Sequence, residues 1–257
     1  MKERLVNDET LKENYKNYLE DKTVVLVGPA WNTKNTNQGY LIDSYDVVVR
    51  MNDGIGLAEK YPEDLGKRTD ILYCNLGNRY FKRVKYKKPG GGKMIREKVF
   101  TVNSINKYNK FLKWIVASHA FKHQSNVRKI KDMTKDTKIS IHLVERNIFN
   151  DIAKKNSAKL STGIVTIYDL LQYKIKQLYI TGLTFWDRDT IKVTNNKVYR
   201  AGYARKVITD NQSVYDSKKK LSFSHDTKKE ILFLAGLCGK DKRIAYDKVL
   251  SKIIRSL

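Results

Sequence analysis

The sequence has only two cysteines, Cys74 and Cys238, in 257 residues. That is too few for a disulfide framework, and their spacing matches no structural zinc site, which fits a reducing compartment. No apolar run approaches the roughly 18 to 20 residues that a membrane span requires. The first ten residues, Met1 to Thr10, are too polar and acidic for a secretory signal. A cytoplasmic protein without a transmembrane segment is therefore expected. Acidic residues are scarce: 27 Asp and Glu stand against 51 Lys and Arg, a formal net charge of +24. Such an excess speaks to partners rather than to fold, and it calls for something anionic: nucleic acid, an acidic membrane surface, or an acidic glycan or lipid head group. No internal repeat is present. The G-x-G-x-x-G turn is missing too, since Gly28-Pro29-Ala30-Trp31 follows the first strand-like run, and this disfavours a nicotinamide-binding domain.

What is present reads as one α/β domain. The hydrophobic content of 41% suffices for one ample core or two small lobes. Thr23 to Val27, Asp46 to Met51 and Asp70 to Cys74 are short apolar, β-branched runs that end at Gly28, Asn52 and Asn75, the pattern of strands buried on both faces. Leu178 to Ile180 repeats it, and Ile164 to Tyr173 before it has helical spacing, so strands and helices alternate as in a parallel sheet. Charged residues 2 to 20 read as a flanking helix carrying Leu5, Leu11, Tyr15, Tyr18 and Leu19. Residues 107 to 135 read as a basic helix, and Ile139 to Val144 as a strand with one apolar and one polar face. Residues 185 to 220 read as a long active-site loop, and Lys228 to Leu237 as a last helix. Between 79 and 98, Lys82, Arg83, Lys85, Lys87, Lys88, Lys93 and Arg96 surround Pro89 and three glycines, with Glu97 the one acid, so a flexible basic flap that contacts a polyanion is expected.

Three stretches could carry chemistry. Ser161-Thr162-Gly163 opens a helix, where hydroxyls, free amides and the dipole can hold an anion; taken alone, the tripeptide favours a plain N-cap with a glycine for tight packing. His225 precedes the last helix, where the dipole favours a neutral imidazole able to accept a proton. Thr227 and Glu230 form a T-x-x-E pattern, which makes Glu230 a capping partner rather than an acid catalyst. Asp187-Arg188-Asp189 offers paired carboxylates, yet two aspartates around an arginine also suit a solvated loop, and no metal is assigned.

Taken in order, these residues resemble the sialyltransferases of glycosyltransferase family 29, which share long, short and very short motifs. Gly39 to Asp43, Asp46 to Asn52 and Asp64 to Thr69 resemble the long motif. Leu160 to Gly182 resembles the short motif through Ser161, Thr162 and Gly163, and His225 with Glu230 matches the very short one. The resemblance implies a Rossmann-like, mostly parallel sheet flanked by helices, and a CMP- or UDP-sugar donor with no further cofactor. It also implies donor binding by Gly28, Asn52, Asn75, Ser161, Thr162 and Gly163, with His225 as the base of an inverting displacement. Pro29 stands where the family has an asparagine. Val24 and Lys174 stand where animal members have a bonded cysteine pair.

One donor phosphate does not account for the charge. Duplex DNA carries a charge about every 1.7 Å of axis, and enzymes acting on a base flip it into their pocket. The acceptor favoured on these grounds is DNA bearing a hydroxymethylated base. A sialic-acid or related transferase acting on a glycan or lipid is the alternative, and a non-catalytic nucleic-acid-binding module is a third.

Overall fold

The computed structural model describes residues 8–81, 84–87, 93–96, 99–156, 160–185, 192–194, 197–199, 208–210 and 227–256. Helix α1 (Glu9–Leu19) precedes β1 (Thr23–Val27), followed by α2 (Gly39–Asp43), β2 (Val47–Met51), α3 (Gly54–Lys60), α4 (Pro62–Leu65) and β3 (Ile71–Cys74). Strands β4 (Val84–Lys87) and β5 (Lys93–Arg96) lead to α5 (Val102–Tyr108), β6 (Trp114–Ala117), α6 (Gln124–Thr134), β7 (Ser140–Leu143) and α7 (Arg146–Asn156). Then come α8 (Thr162–Leu170), β8 (Gln177–Thr181), β9 (Lys192–Thr194), β10 (Lys197–Tyr199) and β11 (Ile208–Asp210). The described chain ends with α9 (Thr227–Lys240), β12 (Ile244–Tyr246) and α10 (Lys248–Arg255).

Seven strands form one sheet in the order β12-β8-β1-β2-β3-β6-β7, and every pairing in it is parallel. Helices cover both faces, so the central strands are apolar on both. Val24 and Leu26 of β1 belong to a core with Ile164, Val165 and Ile167 of α8, while Val25 and Val27 pack with Ile42 and Leu65 on the other face. Leu72, Cys74, Ile115 and Ala117 form a third cluster with residues of α5 and α6. Cys74 and Cys238 are both free thiols.

Several sequence readings need correction. Trp114 to Ala117 is a buried strand between β3 and β7, not part of a long helix; helix periodicity among the flanking lysines had masked a β-branched apolar run. The polar face expected of the 139–144 strand is buried as well, because His142 is enclosed in the core. Residues 244–255 supply an edge strand and an amphipathic helix that had no counterpart in the sequence reading. The segment read as a loop contains a three-stranded antiparallel sheet, β11-β10-β9. The basic stretch expected to form a flap contains β4 and β5, which pair in antiparallel fashion with Lys87 opposite Lys93, while residues 88–92 lie outside the described residues.

Helix α1 is fastened through a buried polar chain. The Tyr15 and Tyr73 hydroxyls lie 2.9 Å apart, and Tyr73 donates to Asp169 Oδ2 at 2.7 Å. The Tyr15 ring stacks on His142 with centroids 4.2 Å apart, and the Tyr173 hydroxyl meets His142 Nε2 at 3.0 Å. Asp169 is fully buried and its Oδ1 has no hydrogen-bond partner among the described residues. Burial pushes its carboxyl up to about 7, with the Tyr73 hydroxyl partly opposing this. A carboxyl raised on folding gives stability that is complete below its unfolded pKa of about 4 and is lost as pH rises toward its folded value. Asp169→Asn removes that dependence. Thermal melts at about pH 5 and about pH 8 should show the variant gaining on the parent by several degrees at the higher pH; an equal difference at both would contradict the assignment.

Candidate functional site

From β1 the chain turns to one side for β2 and β3 and returns on the other for β8 and β12, so strand order reverses between β1 and β8. In open parallel sheets the crevice at the carboxyl ends of such a pair is where ligands bind. Here the two exits are pressed together. A Cβ on Gly28 would lie 2.1 Å from the carbonyl oxygen of Gly182, and one on Gly182, at φ +69, would lie 2.5 Å from that of Gly28. Gly28 N donates to Thr181 O at 2.8 Å and Ala30 N to Gly182 O at 3.0 Å. Only glycine permits this approach.

Asp247, the N-cap of α10, closes the crevice from the β12 side. Its Oδ2 accepts from Thr181 Oγ1 at 2.9 Å, Gly182 N at 3.0 Å and Asn32 Nδ2 at 3.1 Å, and its Oδ1 accepts from Leu250 N at 2.8 Å. A carboxylate can only accept, so the Asn32 amide orientation is fixed. That leaves Asn32 Oδ1 buried and without a donor among the described residues. Asn32, Thr181 and Asp247 were not foreseen. An N-capping aspartate after Ile244-Ala245-Tyr246 and before an amphipathic run was the signal available for the last of them.

On the β2 side, Asn52 occupies the left-handed region at φ +52. Its amide donates to Tyr73 O at 2.7 Å, and its Oδ1 accepts from Asn75 N at 3.4 Å. Asn75 Oδ1 in turn holds Gly77 N at 3.0 Å, so the ends of β2 and β3 are tied together. Ser161 caps α8 through Ile164 N at 3.3 Å. A Cβ on Gly163 would sit 3.8 Å from both Met51 Sδ and Leu183 Cδ2, which puts the start of α8 over the ends of β2 and β8. First-turn amides such as those of Thr162 and Gly163 have no partner within a helix and can serve an anion.

Glu230 is fully buried, and its Oε1 accepts from Ser161 N at 2.6 Å. Helix α9 begins at Thr227, whose side chain lies outside the described residues, so the T-x-x-E capping pattern is not read there. The Glu230 side chain joins α9 to the start of α8.

The charged residues of the long stretch brace the backbone. Arg50 is 1% exposed, and its guanidinium donates to Leu65 O at 2.5 Å, Gly66 O at 3.2 Å, Arg68 O at 2.9 Å and Thr69 Oγ1 at 2.9 Å. Burial lowers its pKa to about 10, with Asp43 and Asp70 opposing. Asp64 accepts the amides of Asn35, Thr36 and Asn37 at 2.8, 2.9 and 3.0 Å, which fixes the loop leading away from β1. The structure thus brings together Gly28, Asn52, Asn75, Ser161, Thr162 and Gly163. His225, Asp187, Asp189, Lys82, Arg83 and Lys88 lie outside the described residues. Lys85 and Lys87 belong to β4, and Lys93 and Arg96 to β5.

A family model described as glycosyltransferase family 29 (sialyltransferase) matches residues 3–172, more than half of the chain. The chain belongs to this family. The match takes in the long motif and the start of the short one and stops before Glu230. Family 29 membership makes the chain a nucleotide-sugar-dependent glycosyltransferase, as the resemblance implied. No curated protein matches the sequence. Among solved structures, a mammalian sialyltransferase in complex with Gal-beta-1-3GalNAc-ortho-nitrophenol is similar at 17% identity and a TM-score of 0.53, covering 94% of this chain and 74% of its own. The sialyltransferase CstII from Campylobacter jejuni, in complex with cytidine-5'-monophosphate, is similar at 16% identity and a TM-score of 0.51, covering 88% and 80%. At such identities the likeness is one of fold, and it agrees with the mostly parallel sheet flanked by helices. Among the described residues no helix is long and apolar enough to cross a membrane.

The Glu230 link can be tested directly. Glu230→Ala should lower the melting temperature, because a buried amide loses its side-chain acceptor at a cost of about 1–3 kcal/mol. Glu230→Gln, which keeps an acceptor oxygen, should recover most of that loss; equal melting of the two variants would contradict the link.

Proposed function

We propose that this family 29 enzyme transfers a sugar from a CMP-sugar to a hydroxyl of a glycan or lipid by one inverting displacement. The observation that carries the reading is the convergence of Gly28, Asn52 and the start of α8 on the crevice where β1 and β8 part. In this account the donor phosphate is held by the Ser161 hydroxyl and the Thr162 and Gly163 amides. The positive end of α8 stabilises the charge that grows on the phosphate as the sugar leaves. Asn52 and Asn75 line the nucleoside side. Asn32 Oδ1, an acceptor in need of a donor, is offered to a hydroxyl or amine of the nucleoside.

His225 takes the proton of the attacking hydroxyl, whose oxygen bonds to the anomeric carbon as the bond to the phosphate breaks and CMP departs. The Glu230 to Ser161 bond supports this role. It anchors α9 at the start of α8, and the five residues from Glu230 back to His225 span at most about 17 Å.

A second reading is favoured by the net charge of +24: the acceptor is a hydroxylated base on DNA, bound through the basic residues at 82–96. It ranks second because charge alone supports it, whereas the glycan or lipid reading also has the family behind it.

CMP should raise the melting temperature of the chain more than UMP does, since a ligand that binds only the folded state stabilises it; no response to either nucleotide would contradict the donor site. His225→Ala should keep the response to CMP and lose turnover on the order of a hundredfold or more, and unchanged turnover would remove His225 as the base. Sugar transfer to hydroxymethylated duplex DNA, but not to glycan or lipid acceptors, would reverse the ranking of the two acceptors.

A further inference from the structure

A second cleft, of about 450 Å³, opens far from the donor crevice. Leu171 and Gln172 on one side precede β8, and Lys240 to Arg243 on the other precede β12, so this cleft lies outside the amino ends of those strands. Helix α8 separates the two sites: its nine residues extend about 14 Å from Ser161 at one to Leu170 beside the other.

The floor of the cleft is apolar, made by Tyr168 and Leu171 at the end of α8 and Leu237 of α9. The Tyr168 ring also packs against Phe233, with centroids 5.7 Å apart. One wall is fixed by Arg243, which donates to Tyr173 O at 2.7 Å, Leu171 O at 2.9 Å and both oxygens of Asp241 at 3.0 and 2.7 Å. Asp241, the one acid lining the cleft, is thereby engaged, and its hydrogen bonds with Arg243 hold its carboxyl below the usual range. The rim is cationic: Lys240 and Lys242 line the cleft, are exposed, and meet no carboxylate among the described residues. A lysine in the last turn of a helix offsets the helix dipole, which accounts for Lys240. It does not account for Lys242 or for the open apolar floor between the two helices.

We propose that this cleft binds an anionic amphiphile, a single-chain lipid whose phosphate or carboxylate head pairs with Lys240 and Lys242 while its first alkyl carbons lie on Tyr168, Leu171 and Leu237. Its volume falls in the range of about 300–1,000 Å³ usual for small-molecule sites. Because the cleft lies at the far end of α8 from Ser161, its ligand does not compete with the nucleotide. Such a site ties the enzyme to acidic lipid and gives part of the basic excess a specific use.

Isothermal titration of the full chain with dodecyl phosphate below its micelle concentration tests this, with dodecyl maltoside and inorganic phosphate as the other arms. One dodecyl phosphate per chain is expected, with far weaker binding of the neutral detergent and of the chainless anion. Lys240→Glu combined with Lys242→Glu, and separately Leu237→Gln, should each weaken it about tenfold or more while melting within a few degrees of the parent. Failure to bind dodecyl phosphate would overturn the proposal. So would equal binding of dodecyl maltoside or of inorganic phosphate, or undiminished binding by variants that melt like the parent.

Discussion

Where β1 and β8 end, the backbones of Gly28 and Gly182 come so close that a Cβ on either would overlap the carbonyl oxygen of the other, and the crevice is built outward from that contact. Two parallel strands that leave a sheet in opposite directions open a gap at their carboxyl ends; the paired glycines keep its floor narrow and made of backbone. Asp247 then pins Thr181, Gly182 and Asn32 from the β12 side. The start of α8 covers the other side, with Gly163 packed near Met51 and Leu183. A side chain at either glycine would force the strand exits apart and separate the groups that line the crevice.

Around this floor, buried charge is used to hold backbone. Burying an ion without partners is costly, and the cost is offset only when its hydrogen-bonding capacity is met. Arg50 donates to the carbonyl oxygens of Leu65, Gly66 and Arg68 and to the Thr69 hydroxyl, Asp64 accepts three successive amides of the loop after β1, and Glu230 accepts the amide of Ser161 through one oxygen. Asp64 and Glu230 fix segments at the carboxyl end of the sheet, while Arg50 fixes the approach to β3. Much of what resembles the family's long motif is therefore scaffolding that braces backbone.

This division explains what could be read beforehand. The central strands were legible because strands buried on both faces are continuous apolar runs, and the polar residues that end them, Asn52 and Asn75, lie at the carboxyl edge. Ser161 to Gly163 were legible because a cap followed by an apolar helix has a local signature. Trp114 to Ala117 was misread since four residues among lysines are too short for period 2 to outweigh a helical pattern. The strand at Ile244 to Tyr246 is shorter still. T-x-x-E gave Glu230 a local reading, but its bond to Ser161 could not be read locally, because the two are 69 residues apart. Asn32 had no local signal at all: its orientation comes from Asp247, 215 residues on.

The proposed donor site requires that the crevice between β1 and β8 hold the nucleotide with its phosphate at the start of α8. A crystal structure of the chain with CMP tests it most directly. The account predicts the phosphate against Ser161, Thr162 and Gly163, the nucleoside between Asn32 and Asn52, and a hydrogen bond from the nucleoside to Asn32 Oδ1. CMP bound elsewhere on the chain, with the start of α8 still closed by protein contacts alone, would contradict it.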